Sequence, residues 1–120
     1  MENNAIFKDS LHLERFRTLL ELDGTQAWDR ERRSLFFIIS GCTDLYSRHT
    51  RIYSFSRHML NGGGRDLEGE VCSSASALLA LGLNLYNGRL GQTSVPSNTF
   101  RNLDAGNRRL AINALSMRYL

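Results

Sequence analysis

Arginines and rings alternate through the middle of the chain. Arg48, Arg51, Arg57 and Arg65 are interleaved with Tyr46, Tyr53, His49 and His58. Cations neutralise phosphates and rings stack on bases, so Arg48, Arg51, Tyr53, Arg57 and Arg65 make a candidate nucleic-acid surface. Arg and Tyr are equally the residues that protein interfaces favour. Just upstream, Arg30, Arg32 and Arg33 lead into the apolar run LFFII. Trp28, Phe36 and Phe37 would supply an apolar patch there, with Arg32 and Arg33 on its rim. These five are the candidate protein-interaction residues.

A third set is uncharged or acidic. Asn84 and Asn113 stand inside two of the most apolar stretches, SSASALLALGLNLYN and NRRLAINALSMRYL. A buried carboxamide needs partners for two donors and its oxygen. Each asparagine is expected to bond a loop backbone, or the other asparagine, and so to fix the packing. Asp104 and Asn107 are three apart and read as a helix cap. Convergence of Asp44, Asn84, Asp104, Asn107 and Asn113 on one concave site would make a small enzyme's pocket.

Other chemistry has weaker support. His12, His49 and His58 have no second His or Cys at ligand spacing, and zinc needs about four convergent ligands. No metal and no cofactor are expected. His12 with Glu14, or His49 with Asp44, are generic acid–base pairs without a nucleophile motif. Ser73, Ser74 and Ser76 lack a GxSxG elbow. Gly62, Gly63 and Gly64 lack the Lys-Ser/Thr of a phosphate loop and read as a hinge.

Apolar spacing predicts the elements that position these groups. A first helix runs over about 11–22, with Asp9 or Ser10 as its cap and Asp23-Gly24 as its stop. Ile6 and Phe7 are placed to staple back onto its first turn. A second covers 26–40, charged in its first half and apolar in its second. A third covers 44–60, where HTRIYSFS also fits a short strand and a break near Thr50 is allowed. A fourth covers 74–86 and is apolar all round, so it is placed centrally. A fifth begins between Asp104 and Asn107 and runs nearly to Leu120, a terminus expected to be docked. Residues 61–71 and 88–102 read as loops. The expected fold is all-α: one compact, bundle-like domain over 1–120, with about five helices and with 74–86 and 107–119 at its centre.

Several blocks together resemble a known family: FRTLLELD, DRERRSLFFIISGCTDLY, ALGLNLYNG and LDAGNRRLAINALSMRY. It is an uncharacterised family of small proteins from Gram-positive bacteria and their mobile elements. The resemblance implies a bacterial or phage origin and a self-contained domain. It marks Asp29, Glu31, Arg32, Gly41, Asp44, Leu45, Tyr46, Asn84, Tyr86, Asn87, Gly88, Asp104, Asn107, Asn113 and Arg118 as family-like. It transfers no catalytic residue.

Composition bounds the function. Apolar residues are 42% of 120, too many for a disordered chain and enough for one core. No stretch reaches the roughly 18 apolar residues of a membrane span. The start MENNAIFKDS has no basic flank followed by an apolar run, so a cytoplasmic protein is expected. Cys42 and Cys72 are expected as small buried thiols. Formal net charge is +3, modest for a protein that must neutralise several phosphates. The leading expectation is a small non-enzymatic interaction or modulator protein whose partner is another protein, with homodimerisation as one form of this. Nucleic-acid binding and a small enzyme follow.

Overall fold

The computed structural model describes residues 4–62, 67, 69–88 and 96–120. After a 3-10 turn at Asn4–Ile6 come α1 (Ser10–Asp23), α2 (Arg30–Ser40), α3 (Thr43–Tyr46) and α4 (His49–Ile52). Strands β1 (Tyr53–Ser54) and β2 (Met59–Leu60) follow, then α5 (Ser73–Asn87), α6 (Pro96–Arg101) and α7 (Ala105–Tyr119). Among the described residues there are therefore seven α-helices, where about five were expected.

Aspartates start three of them. The Asp9 carboxylate accepts the His12 N–H at 2.8 Å, Asp29 that of Arg32 at 3.1 Å, and Asp104 that of Asn107 at 2.8 Å. Each satisfies a donor that the first helical turn leaves free. Gly24 stops α1 with φ 70°, a conformation that side chains with a Cβ disfavour.

The centre of the bundle is α2. It packs against α1, α5 and α7, and every residue from Ser34 to Ser40 is buried. LFFII is apolar around the whole helical circumference, so only a position covered on all sides accommodates it. The expectation for 74–86 holds, since α5 is buried along most of its length. The expectation for 107–119 does not. In α7 only Leu110, Ala111 and Ala114 are buried, while Ile112 and Tyr119 are exposed. Leu120 is 89% exposed, so the terminus is not docked. The radius of gyration is 12.8 Å, against about 14 Å for an average domain of this length, so the bundle is compact.

The predicted third helix is broken. After α4 the chain becomes extended at Tyr53, and β1 pairs antiparallel with β2, Tyr53 opposite Leu60. Packing explains the change. Tyr53 and Phe55 both pack on Phe36, with ring centroids 4.9 and 5.7 Å away. Residues two apart on a helix face different ways and would not share one ring. His58 turns the hairpin with φ 56°. Part of the expected 88–102 loop is also helical: α6 starts at Pro96, whose fixed φ suits a first helical turn.

The thiols differ from expectation too. Cys42 is half-buried and Cys72 is exposed, because Cys72 sits at the start of α5 rather than within the core.

Gly41 joins α2 to α3 at a point of close approach. A Cβ there would lie 2.5 Å from Leu110 Cδ1 and 3.0 Å from His12 Nε2. The Leu110 tip is mobile, but the His12 ring is held at both nitrogens. Gly41→Ala is expected to lower the unfolding free energy by about 1–3 kcal/mol, read from urea denaturation. An unchanged midpoint would mean that Leu110 moves aside freely.

Candidate functional site

The most elaborate polar arrangement surrounds Arg32. Its Nη1 donates to the Asp29 carboxylate at 2.9 Å, its Nε to the Tyr53 oxygen at 2.8 Å, and its Nη2 to the His58 carbonyl at 2.8 Å. The Tyr86 ring covers the guanidinium at 5.5 Å. Tyr53 in turn donates its hydroxyl to Asp23 Oδ1 at 2.7 Å. His58 Nδ1 donates to the same oxygen at 2.8 Å, since an ionised carboxylate only accepts. Thr25 donates to Asp23 Oδ2. One chain of bonds thus ties the end of α1, the start of α2, the hairpin and the end of α5.

Local sequence explains each placement. Asp23 is the last residue of α1 and is only 7% exposed. Asp29 is the α2 cap, and Arg32 lies one turn on, within reach of it. Tyr53 is brought in by the switch from helix to strand, with its ring fully buried.

The electrostatics follow from these bonds. Burial pushes the Asp23 carboxyl up, but donors from Thr25, His58 and Tyr53 together outweigh it and hold it below the ordinary carboxylate range. Burial pushes the Tyr53 phenol up, and Asp23 adds to this against the opposing Arg32. The Tyr53 bond strengthens the Arg32 charge above its usual hold on a proton, against burial and with help from Asp29. The network is an ionised carboxylate, a neutral phenol and a guanidinium in sequence. Each member polarises the next in the same sense, which favours a rigid unit.

Exposed apolar residues adjoin members of this frame in the chain. Trp28 is 77% exposed, Leu22 53% and Met59 52%. Each is the immediate chain neighbour of a network member: Trp28 of Asp29, Leu22 of Asp23, Met59 of His58.

The predicted interaction set is therefore divided. Trp28 is at the surface and Arg32 is the hub. Arg33 lies over the Phe16 ring at 5.4 Å. Phe36 and Phe37 are both 0% exposed and cannot meet a partner, because the apolar half of α2 is enclosed by α1, α5 and α7.

The nucleic-acid set is also corrected. Arg48 pairs with Asp44 at 3.0 Å, and Arg51 makes a two-pronged pair with Glu70 at 2.8 and 3.1 Å. The Arg51 bond, helped by the charges of Arg51 and Arg48, draws the Glu70 carboxyl down. Tyr53 is buried and presents no face for a base. Arg57 is exposed, and Arg65 lies outside the described residues.

The polar set does not converge. Asp44 is paired on Arg48, and Asp104 caps α7. Asn113 Nδ2 bonds the Ile6 carbonyl at 3.0 Å, the backbone role expected for it. Asn84 is half-buried on α5. Among the described residues Asp104 and Asn107 share a cavity, beside Lys8 and Arg109. His49 donates to the Tyr46 carbonyl. Among the described residues no three His, Cys, Asp or Glu side chains gather as metal ligands, and no helix is long and apolar enough to cross a membrane.

Sequence reasoning passed over Asp23, which looked like an ordinary helix stop. Its partners Tyr53 and His58 lie 30 and 35 residues away, so no local pattern signals the pairing.

Fold and site together define a small, compact helical bundle with one short hairpin, tied together by a polar keystone. The chain belongs to the family of unknown function DUF6075, which matches residues 2–120. No curated protein matches the chain, and no solved structure does.

Proposed function

We propose that this chain is a small protein-interaction module that docks a partner protein on the surface around Trp28. The observation that carries this reading is the 77% exposure of Trp28, next in the chain to Asp29 of a frame held by Arg32, with exposed Leu22 and Met59 next in the chain to other members of that frame. Trp is among the residues that dominate binding energy when a partner covers them. A frame already fixed by hydrogen bonds loses little freedom on docking, which favours affinity. Exposed Arg30 and Arg57 flank Trp28 and Met59 in the chain and add positive charge. The partner that fits has an apolar pocket for the indole and an acidic rim. In this reading residues 1–120 act as one cytoplasmic domain. The bacterial or mobile-element origin implied by the resemblance suits a modulator of a host protein.

The test is affinity capture from host lysate at high salt after nuclease treatment, beside light scattering of the purified chain. Wild-type protein is expected to retain a discrete protein, and Trp28→Ala to lose it while Ile112→Ser keeps it. Equal retention by wild type and Trp28→Ala would refute the site. Retention abolished by nuclease would favour nucleic acid, and a Trp28-dependent dimer would make a second copy the partner.

A further inference from the structure

We propose that the cleft between the start of α1, the α2–α3 corner and the start of α7 binds a small molecule through an oxyanion, either a phosphate or a carboxylate. It lies apart from the Trp28 network and shares no residue with it. Its volume is about 300 Å³, and Lys8, Asp9, His12, Arg15, Thr43 and Asn107 line it. That is the lower end of the range for small-molecule sites, which suits a compact ligand.

The cations here bond neutral partners, as Arg108 and Arg118 do on carbonyl oxygens elsewhere. Arg32, Arg48 and Arg51 each pair with a carboxylate. Lys8 Nζ instead donates to the neutral Asn107 Oδ1 at 2.6 Å, and Arg15 Nη1 to the neutral Thr43 Oγ1 at 3.1 Å. Neither forms an ion pair among the described residues. The Tyr46 ring lies 4.7 Å from the Arg15 guanidinium and orients it. A guanidinium has five N–H donors and an ammonium three, so both keep donors to spare. Thr43 accepts from Arg15, which leaves its own hydrogen to donate. Asn107 accepts from Lys8 through Oδ1, which leaves its NH₂ to donate. Two positive charges and two neutral donors thus share one concave site.

The remaining groups cancel only part of this. Asp9 is the one carboxylate in the lining, and its Oδ1 accepts the His12 N–H as the α1 cap. His12 Nδ1 accepts the Lys8 backbone N–H at 3.0 Å, so Nε2 carries the proton and donates to the Phe37 carbonyl at 2.9 Å. The ring is therefore neutral, and burial, the largest influence on it, opposes its protonation. The adjoining cavity, which also contains Lys8 and Asn107, is lined by Arg109 and by the carboxylate of Asp104, so it adds no net charge of its own beyond Lys8. Guanidinium and ammonium together recognise planar or tetrahedral oxyanions by charge-assisted hydrogen bonds.

The experiment is an NMR titration of the full chain with inorganic phosphate and, separately, with succinate. Saturable shifts confined to the amides of residues 8–15, 41–43 and 107 are expected for at least one of them. Saturation by phosphate alone assigns a phosphorylated ligand, and saturation by succinate alone a carboxylate. Arg15→Gln should weaken binding about tenfold, and Arg15→Lys should restore part of it. Arg57→Gln should leave it unchanged. Shifts that never saturate, that spread over all surface arginines, or that survive Arg15→Gln in a folded protein would overturn the proposal.

Discussion

Phe37→Ala is expected to remove about 3–5 kcal/mol of unfolding free energy, a large share of what a domain of this size possesses. The ring is fully buried and packs on Phe7, His12 and Phe16, with centroids 5.4, 4.7 and 6.0 Å away. Truncation leaves a void that the rings of His12 and Phe16, fixed on α1, and of Phe7, packed just before it, do not close. Phe37→Leu, which retains most of the volume, should cost less. Trp28→Ala should change stability by no more than about 0.5 kcal/mol, as exposed substitutions commonly do. Urea denaturation of the three variants checks this directly. Similar losses for Phe37→Ala and Trp28→Ala would mean that Phe37 is not enclosed as the packing of α2 requires.

Asp23→Ala should cost about 2–3 kcal/mol, because the buried Tyr53 hydroxyl loses its acceptor and the hairpin loses its tie to α1. The exposed His58 contributes little of that, since solvent screens it. The pH dependence has a definite sign. The folded-state carboxyl of Asp23 is held below its ordinary value of 3.8, so the unfolded chain takes up the proton first. Its contribution is complete above the ordinary carboxylate range and is lost as pH falls through the lowered folded value. Wild-type stability should therefore drop more steeply with acid than that of Asp23→Asn. The unfolding midpoint of both proteins, followed from neutral pH into the acid range, gives the comparison. Parallel curves would show that the network does not hold Asp23 ionised.

Helix ends were readable locally, because a cap or a stop is coded within a few residues. Asp9, Asp104 and Gly24 stand where the sequence places them, whereas the second helix begins at Arg30, capped by Asp29, and not at residue 26. The charged and apolar halves of the second helix were equally plain. Its surroundings were not: treating Phe36 and Phe37 as a surface patch overlooked that LFFII spans more than one helical face. Local propensity also favoured a continuous helix over 44–60, whereas packing of Tyr53 and Phe55 on Phe36 decided for a hairpin. The partner of Arg48, Asp44, stands only four residues away and could have been read from the spacing, whereas Arg51 looked available because its partner, Glu70, lies 19 residues further on. The keystone at Asp23 was invisible for the same reason, as its bonds depend on tertiary contacts. Trp28 was singled out from sequence, and its exposure keeps it at the centre of the functional proposal.

The most direct test of that proposal places a photoreactive residue at position 28 and, as a control, at position 112, and irradiates intact host cells. Ile112 is also half-exposed but lies on α7, which contributes no residue to the Arg32 network. Docking at the Trp28 surface predicts one discrete protein adduct from position 28 and none from position 112. No adduct from position 28, or the same adducts from both positions, would contradict it.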